Sequence, residues 1–573
     1  MHRIDLVGRE GLIRRHLSSV AEIANTHFTL FFGLSVIALL VRALLLPDAI
    51  LMADEYYYAK TAQLWFLHQV DVRSITAIPN QGPVGFPNSL FFAIYRYSFL
   101  LGDSFYVVAK MLNVLFTCAA ALGVMFVARQ YVNRTTASVV ALLTLWLPST
   151  TYVPYFMPEP LYECLIWWGL AAFLIRLPRN VPVAFAVLGA FLGAALLVKP
   201  TAIAMIAASN VIGVLVCWHG DASTRWRRLA FSLLGLNTAF LIVGYCVNYG
   251  VTGHTVWDPV GAFYQSTLAS VAKVDAPRAF LRIAADYGFA YCLVIILLFG
   301  PALVSLTAAG PMYRESQMDR ALIALIVVGL GALLTGSVRV SVAWELLIPN
   351  FKGVYSTRYM HVLFPLLIIG FFRWLPAASV LPRRRAQAGF AVAALGAVLA
   401  VVYHSMGNLL QMRELTLFGF SRWTTQAAVG GALLSVTMYY AFAARPRGGV
   451  FAASLFAYSL MTAGLWLRHD LRTSREEARA PADAARVAEA LVPGVARDSG
   501  YLVADGSNSA TRFMFRYPGT VALKQVPRGS VVPRDSIPGS PDWVAFVGDV
   551  RPEFAAACLA LQTAFFCPMS AMR

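Results

Sequence analysis

The sequence has few charged residues and none of the compact motifs that mark zinc enzymes or ATPases. Only 13% of its 573 residues are Asp, Glu, Lys or Arg, whereas 58% are apolar. This balance excludes an ordinary soluble globular domain. The chain has no CxxC, HExxH or P-loop motif and no internal repeat at a fixed period, so neither a compact zinc site nor ATP hydrolysis is indicated.

Long apolar runs are abundant between Phe28 and about Leu467. About thirteen of them reach the roughly 17 to 25 residues that cross about 30 Å of hydrocarbon. We therefore predict a mainly α, polytopic membrane protein, in which only "VKPT" separates the fifth span from the sixth. The predicted span cores are 28–46, 106–128, 136–153, 161–176, 181–198, 201–217, 229–249, 285–308, 321–337, 359–377, 388–403, 424–443 and 449–467.

The net charge of +17 comes largely from arginines in alternate short loops, such as "REGLIRR", "STRWRR" and "LPRRR". This alternation is the positive-inside pattern. It predicts a multi-pass protein of the inner or plasma membrane with a cytoplasmic N-terminus and, after an odd number of spans, an exported C-terminal part. The distribution of positive charge therefore indicates the membrane topology, and we expect no nucleic-acid partner. We also expect no cleavable signal peptide, since the first apolar run is too long for an h-region.

The chain divides into a transmembrane part, 1–467, and an exported C-terminal part, 468–573. The transmembrane part includes a long first exported loop, 47–105, whose "FFAIYRYSFLL" segment is typical of a helix in the membrane interface. From Arg468 the composition becomes charged, and helical and strand patterns alternate. This pattern predicts a small α/β domain. Its "DGSNSATRF" segment indicates an N-capped helix start, with anion binding as the alternative.

Two of the seven cysteines, Cys558 and Cys567, fall in the predicted exported domain. An oxidising compartment permits a disulfide there, with two buried thiols as the alternative. The other five cysteines lie in or beside predicted spans, where a thiol behaves as a small hydrophobe. We therefore predict a possible disulfide between Cys558 and Cys567 only.

Two adjacent carboxylates, Asp54 and Glu55, follow the first span closely in "MADEYYYAKTAQ". A carboxylate near hydrocarbon is costly unless it is paired, hydrated or functional. One interpretation is that both acids only cap the helix that follows. The other is a general base whose neighbour orients it or the substrate, because capping needs a single acid.

Further charged residues lie at predicted exported ends of spans. Lys199 interrupts apolar sequence in "LLVKPTAIAM", and Arg358 precedes a span with Tyr359 beside it. An ammonium and a guanidinium suit an interfacial phosphate, although a snorkelling lysine and an interfacial aromatic and arginine belt are the alternatives. Glu159 and Glu163 are four residues apart, so both can face one side of a helix. Acids and bases on one membrane face together suggest a lipid phosphate.

The chain resembles the GT-C superfamily of membrane glycosyltransferases, especially the lipid A aminoarabinose transferase and protein O-mannosyltransferase type. The resemblance rests on "DEY" at 54–56 in the first exported loop, on "GPVGFPNSLFFAIYRYSFLLGDSFYVVAKMLNVLF", and on the later "VKPT" and "TRYMHVLFP". The number of spans and the exported α/β domain match the family layout. One departure is "GPVGFP", where a tight double proline is common, and it leaves the subfamily open.

The resemblance implies a polyprenyl-phosphate-linked sugar donor and an acceptor hydroxyl on a glycolipid, glycan or protein. It makes Asp54 the general base and Glu55 an orienting acid, with Lys199 and Arg358 at the donor phosphate. Some relatives use a divalent cation and others none, so the resemblance leaves the cofactor and the metal requirement open.

Four residues are predicted to contact the sugar or the acceptor. Aromatic faces stack on sugars and hydroxyl groups form hydrogen bonds with them. Glu159 is predicted to line the same cavity. The predicted substrate-binding residues are Tyr56, Tyr58, Glu159 and Tyr359.

Two other classes of function fit parts of the pattern. A transporter or lipid flippase also has many spans and a charged cavity, but it usually places ionisable groups near the bilayer midplane. A scaffold whose C-terminal domain binds partners is the third possibility. Because the charges here lie at exported span ends, the sequence favours an enzyme. It identifies neither the sugar, the acceptor nor the oligomeric state.

Overall fold

The structure is a computed structural model, and it describes the helical part of the chain and much of the C-terminal part. Between 452 and 487 it describes isolated positions only. The described ranges are 27–46, 53–68, 87–147, 150, 152–218, 222–253, 277–307, 316–347, 360–378 and, with short gaps, 500–569.

The helical part is a bundle of α-helices, interrupted by short 3-10 and π segments. A 3-10 helix follows α3 at Arg96–Ser104, a π segment at Leu325–Gly329 joins α11 to α12, and a 3-10 turn at His361–Leu363 precedes α13. The helices are α1 Phe28–Leu45, α2 Ala53–His68, α3 Ser89–Tyr95, α4 Phe105–Ala128, α5 Arg134–Thr144, α6 Glu159–Arg176, α7 Val181–Leu196, α8 Ala202–Cys217, α9 Ala222–Thr252, α10 Pro277–Thr307, α11 Gln317–Ala324, α12 Leu330–Leu347 and α13 Phe364–Ala378.

Four helices in the described part are long and apolar enough to cross a membrane: Phe28–Leu45, Phe105–Ala128, Ser223–Thr252 and Gln317–Val342. Several others, such as α7 and α8, are apolar but shorter. The fold is thus mainly helical with membrane-crossing helices, as predicted. The predicted number of about thirteen spans is not confirmed, and the spans at 388–403 and 424–443 lie outside the described residues.

One predicted span is shorter than expected. Within the described part of the apolar stretch 136–153, the α-helix is α5, which ends at Thr144, and the described positions from there to Pro158 form turns and bends. By contrast, the break expected at "VKPT" is present, because α7 ends at Leu196 and α8 begins at Ala202. The segment "FFAIYRYSFLL" forms α3 and the 3-10 helix after it, with Leu100 and Leu101 exposed.

Two glycines bring α7 and α9 into backbone contact. A Cβ at Gly189 would lie 2.0 Å from the carbonyl oxygen of Leu236, and one at Gly193 would lie 2.5 Å from that of Phe240. Both distances are far below van der Waals contact, so only glycine fits. This spacing of small residues is the way transmembrane helices approach closely.

Helix starts define one end of the bundle. At α5, α7 and α11, the side chains of Asn133, Asn180 and Ser316 accept hydrogen bonds from the backbone N–H groups of Thr136, Val183 and Asp319. Such caps satisfy N–H groups that the helix cannot satisfy itself.

Two further contacts lie at that capped end. Asp319 there holds Arg373 through two hydrogen bonds of 2.8 Å, which join α11 to α13. The opposite end carries the predicted site residues.

The C-terminal part contains a five-stranded mixed sheet. Its strand order is β2-β1-β4-β7-β6, in which β1 lies parallel to β2 and β4, and β7 lies antiparallel to β4 and β6. A second, parallel pair is formed by β3 and β5. The strands are β1 Gly500–Ala504, β2 Val521–Gln525, β3 Ser530–Val532, β4 Trp543–Val547, β5 Val550–Pro552, β6 Leu559–Leu561 and β7 Ala564–Pro568.

Cys558 and Cys567 form a disulfide, with Cα atoms 4.3 Å apart. The register of β6 against β7 pairs Leu559 with Phe566, and the next position along both strands pairs the two cysteines. The two cysteines are therefore joined by the antiparallel strands β6 and β7. The other five cysteines are free.

Candidate functional site

Glu55 is a buried carboxylate at the start of α2. Its side chain is fully buried, and its Oε1 accepts a hydrogen bond from the Tyr106 hydroxyl and another, 2.9 Å long, from the backbone N–H of Phe156. These donors come from α4 and from the turns that precede α6. Glu55 therefore ties three parts of the chain together, which capping its own helix does not require.

One face of α4 carries three polar residues at helical spacing, Tyr106, Lys110 and Asn113, which we term the α4 polar stripe. Lys110 Nζ donates to the carbonyl oxygen of Leu46 at 2.6 Å, just after α1. Asn113 Oδ1 accepts from the Tyr95 hydroxyl of α3.

The same Asn113 amide also holds the turns that precede α6. Its Nδ2 donates to the carbonyl oxygens of Val153 at 3.0 Å and Tyr155 at 2.6 Å. The stripe therefore joins, at one end of α4, the elements that carry Glu55 and Glu159.

Glu159 and Lys199 form a buried ion pair. Lys199 Nζ lies 2.6 Å from Glu159 Oε1, and both side chains are about 5% exposed. Glu159 is the first residue of α6, and Lys199 lies in the break between α7 and α8. The second carboxylate oxygen, Glu159 Oε2, is buried with no hydrogen-bond partner in the described part of the chain.

The start of α3 is fastened to the same break. The Asn88 side-chain amide donates to the carbonyl oxygen of Val198, and the Leu90 N–H donates to that of Leu197 at 3.0 Å. These bonds satisfy backbone carbonyls that the end of α7 leaves open. They also keep Lys199 next to the helix that follows the first long loop.

Three other residues of α2, Tyr56, Tyr58 and Lys60, are also buried. Tyr58 packs against Phe91 and Phe92, with ring centroids 5.6 and 6.2 Å away. Burial raises the pKa of the Tyr56 hydroxyl and lowers the pKa of the Lys60 ammonium to about 8. Burial removes hydration from the Lys60 ammonium and so disfavours its charged form, which is why its pKa is lowered.

The structure brings three of the predicted site residues to one end of the bundle: Glu55, Glu159 and Lys199. Glu163 is also buried, one helical turn from Glu159. Asp54 lies in the first turn of α2, and its side chain lies outside what the structure describes, as do Arg358 and Tyr359.

Sequence reasoning missed the α4 polar stripe and His361. The signal for the stripe was present, since Lys110 and Asn113 interrupt an apolar run in "VVAKMLNVLF". His361 is buried, its ring centroid is 6.4 Å from that of Tyr152, and it lies within electrostatic range of Lys199. Its position in "TRYMHVLFP" gave no such indication.

Among the residues that the structure describes, no three His, Cys, Asp or Glu side chains come together as a metal site. The described site is instead a set of buried acids, lysines and hydroxyl groups. Such a set can accept hydrogen bonds from a polar substrate and can place positive charge beside an anion. Metal dependence stays open.

The solved structures that this chain is similar to are membrane enzymes. ArnT from Cupriavidus metallidurans, a lipid A aminoarabinose transferase, matches in its apo state with a TM-score of 0.51 and 15% identity, covering 96% of this chain and 99% of ArnT. ArnT bound to undecaprenyl phosphate matches with a TM-score of 0.49, also at 15% identity and with the same coverage.

The oligosaccharyltransferase AglB from Archaeoglobus fulgidus, in complex with an inhibitory peptide and a dolichol-phosphate, matches at 12% identity. Its TM-score is 0.45, covering 91% of this chain and 69% of AglB. No family model and no curated protein matches the sequence. At this identity, the likeness to apo ArnT shows a shared fold, and it is the GT-C fold that the sequence resemblance predicts.

Proposed function

We propose that the protein is a membrane glycosyltransferase that moves a sugar from a polyprenyl-phosphate donor to an acceptor hydroxyl. The observation that carries this proposal is that Glu55, Glu159 and Lys199 are all buried at the same end of a bundle with the fold of ArnT. Buried charges are costly unless they are paired or functional. The donor class is the one that the sequence resemblance implies, and it is consistent with ArnT, which has been solved with undecaprenyl phosphate bound.

The acids divide into a base and an orienting group in this proposal. Asp54 removes the proton from the acceptor hydroxyl, whose oxygen attacks the anomeric carbon as the bond to the lipid phosphate breaks. Glu55 keeps α2 in place through Tyr106 and Phe156. A base works only within hydrogen-bond reach of its proton, so the fixed position of α2 supports the assignment.

Lys199 supplies positive charge for the leaving lipid phosphate. Lys199 is paired with Glu159, and this contact fixes the direction in which the ammonium points. Arg358 is proposed as the second cation, because it precedes His361 by three residues and His361 lies within electrostatic range of Lys199. Guanidinium and ammonium groups stabilise the charge that develops on a departing phosphate.

We place the reaction at the exported face of the inner or plasma membrane. The alternation of basic loops supports a cytoplasmic N-terminus and an exported C-terminal domain, 468–573, after a transmembrane part, 1–467. Tyr56, Tyr58, Glu159 and Tyr359 are proposed to contact the sugar or the acceptor.

The proposal is tested with the purified full chain, polyprenyl-phosphate-linked sugars and a panel of glycolipid, glycan and peptide acceptors. The measured quantity is free polyprenyl phosphate, which appears together with the glycosylated acceptor. Assays in sealed vesicles distinguish the proposed enzyme from the rival function, a transporter or lipid flippase. Movement of the intact donor across the bilayer, with no polyprenyl phosphate released from any donor, would overturn the proposal.

A further inference from the structure

A cluster of arginines and tryptophans lies at the end of the bundle opposite the candidate site, where α8 ends and α9 begins. We term it the Trp–Arg cluster; it consists of Trp218, Arg225, Trp226, Arg227 and Arg228. The Arg225 guanidinium carbon lies 4.9 Å from the ring centroid of Trp218 and 5.8 Å from that of Trp226. The two indole centroids are 5.9 Å apart and nearly perpendicular.

Trp218, Trp226 and Arg227 are the exposed members of this cluster, Arg225 and Arg228 are half-buried, and the cluster borders a lipid-facing surface. Trp218 is 49% exposed and Trp226 is 59% exposed. Further along α9, the apolar residues Leu234, Leu241 and Ile242 are each more than half exposed, as expected of a span that faces lipid. The cluster therefore lies where a lipid-facing helix leaves the hydrocarbon.

The positive charge of the cluster has no acidic partner in the described part of the chain. Among the described residues, Arg225 Nη1 makes a long hydrogen bond of 3.5 Å to the Trp218 carbonyl oxygen, and the buried Nε of Arg225 has no acceptor. The Arg227 guanidinium carbon lies 5.7 Å from the ring centroid of Phe231. Stacking on aromatic rings fixes a guanidinium in one plane and leaves its N–H edge available for an anion.

We propose that the Trp–Arg cluster binds the phosphate of an anionic phospholipid headgroup of the phosphatidylglycerol class. Indole rings prefer the headgroup depth of a bilayer, with the ring in the apolar boundary and the N–H in water. Three arginines within four residues favour a net-anionic lipid over a zwitterionic one, since each adds attraction to the negative leaflet surface. The acyl chains of a lipid cover the exposed apolar surface along α9. This surface therefore favours a lipid over a soluble anion.

The test counts the lipids that the purified full chain retains by native mass spectrometry. The chain is supplied with equal amounts of phosphatidylglycerol and phosphatidylcholine. We expect the unaltered chain to retain phosphatidylglycerol preferentially. The triple variant Arg225→Gln, Arg227→Gln, Arg228→Gln should lower that preference by about tenfold or more.

A matched control is Arg176→Gln, Arg179→Gln. These two exposed arginines lie at the same end, Arg176 as the last residue of α6 and Arg179 in the turn before α7. Neither stacks on an aromatic ring among the described residues, so the control should keep the preference. Equal retention of both lipids by the unaltered chain would overturn the proposal, as would equal losses in the triple variant and the control. The comparison of the two lipids on the unaltered chain requires no variant. It can therefore overturn the proposal even if the triple variant fails to fold.

Discussion

Lys199 Nζ lies 2.6 Å from Glu159 Oε1, across forty residues of sequence, inside the protein. The pair joins α6 to the break between α7 and α8, and it faces the end of the bundle where Glu55 is buried. The same contact has two uses. It satisfies a charge that would otherwise be buried alone, and it presents an ammonium at the proposed phosphate position.

These two uses make different predictions for single and double variants. Lys199→Met leaves the Glu159 charge unpaired and should destabilise the protein by about 3 to 5 kcal/mol. The double variant Glu159→Gln, Lys199→Met removes both charges, so its thermal stability should recover. Donor binding should stay weak in both variants. Recovery of donor binding along with stability would show that Lys199 has only a structural role.

The α4 polar stripe gives a prediction for the positioning of Glu55. Tyr106→Phe removes one donor to Glu55 and keeps the ring and the Phe156 N–H bond. It should lower kcat by about tenfold, less than the loss of a general base costs, with KM for the donor unchanged. Steady-state kinetics on purified protein measures both.

Tyr131→Phe is the control for Tyr106→Phe. Tyr131 is a buried tyrosine that donates to the Met318 carbonyl oxygen at 3.3 Å, at the opposite end of the bundle. Both variants lose one hydrogen bond, so both should lose about 0.5 to 1.5 kcal/mol of stability. Equal kcat values for the two variants would contradict the positioning role.

The disulfide between Cys558 and Cys567 predicts the number of reactive thiols. In denatured, non-reduced protein, five of the seven cysteines should react with a maleimide, and all seven should react after reduction. Mass spectrometry of the peptide that contains Cys558 and Cys567 shows directly whether the two cysteines are linked. Seven reactive thiols before reduction would exclude the bond. Cys558→Ala, Cys567→Ala should cost the C-terminal domain about 2 to 4 kcal/mol.

The topology prediction concerns the two sides of the membrane. Reporter fusions after Arg385 and after Ala480 should report opposite compartments, because "LPRRR" is a basic cytoplasmic loop in the predicted topology and the C-terminal part is exported. Activity of an alkaline phosphatase fusion and fluorescence of a green fluorescent protein fusion measure the two sides. If both fusions report one compartment, the predicted number of spans is wrong.

Much of the helical part was predictable from composition. Runs such as 28–46 and 106–128 match α1 and α4 within one residue, because helix length and hydropathy are read directly from sequence. The predicted span 136–153 is shorter in the structure for a physical reason. Its residues are as apolar as a span, yet Val153 and Tyr155 are buried in turns whose carbonyls are satisfied by Asn113. Irregular backbone is tolerated at such depth where protein covers it.

The sequence alone predicted which types of residue form the candidate site. It was a poorer guide to which residues they contact. Glu55, Glu159 and Lys199 stood out because charge is rare in an apolar sequence. Their contacts join residues 40 to 101 positions apart, as in the bond from the Phe156 N–H to Glu55. No helical or strand period encodes such pairs. His361 is a single imidazole among apolar residues in the sequence, and only its position near Lys199 in the structure distinguishes it from a core histidine.

The central claim is that Asp54 is the general base of sugar transfer from a lipid phosphate, and the rate of the Asp54→Asn variant tests it most directly. Asparagine keeps the shape of the side chain and caps a helix about as well as aspartate. The purified variant should therefore fold and bind a polyprenyl-phosphate-linked donor, while its rate of polyprenyl phosphate release falls by about a hundredfold to ten-thousandfold. Glu55→Gln should lose less, since an amide oxygen still accepts the Phe156 N–H bond. An Asp54→Asn protein that transfers sugar at the rate of the unaltered chain would contradict the account and leave the acid as a helix cap.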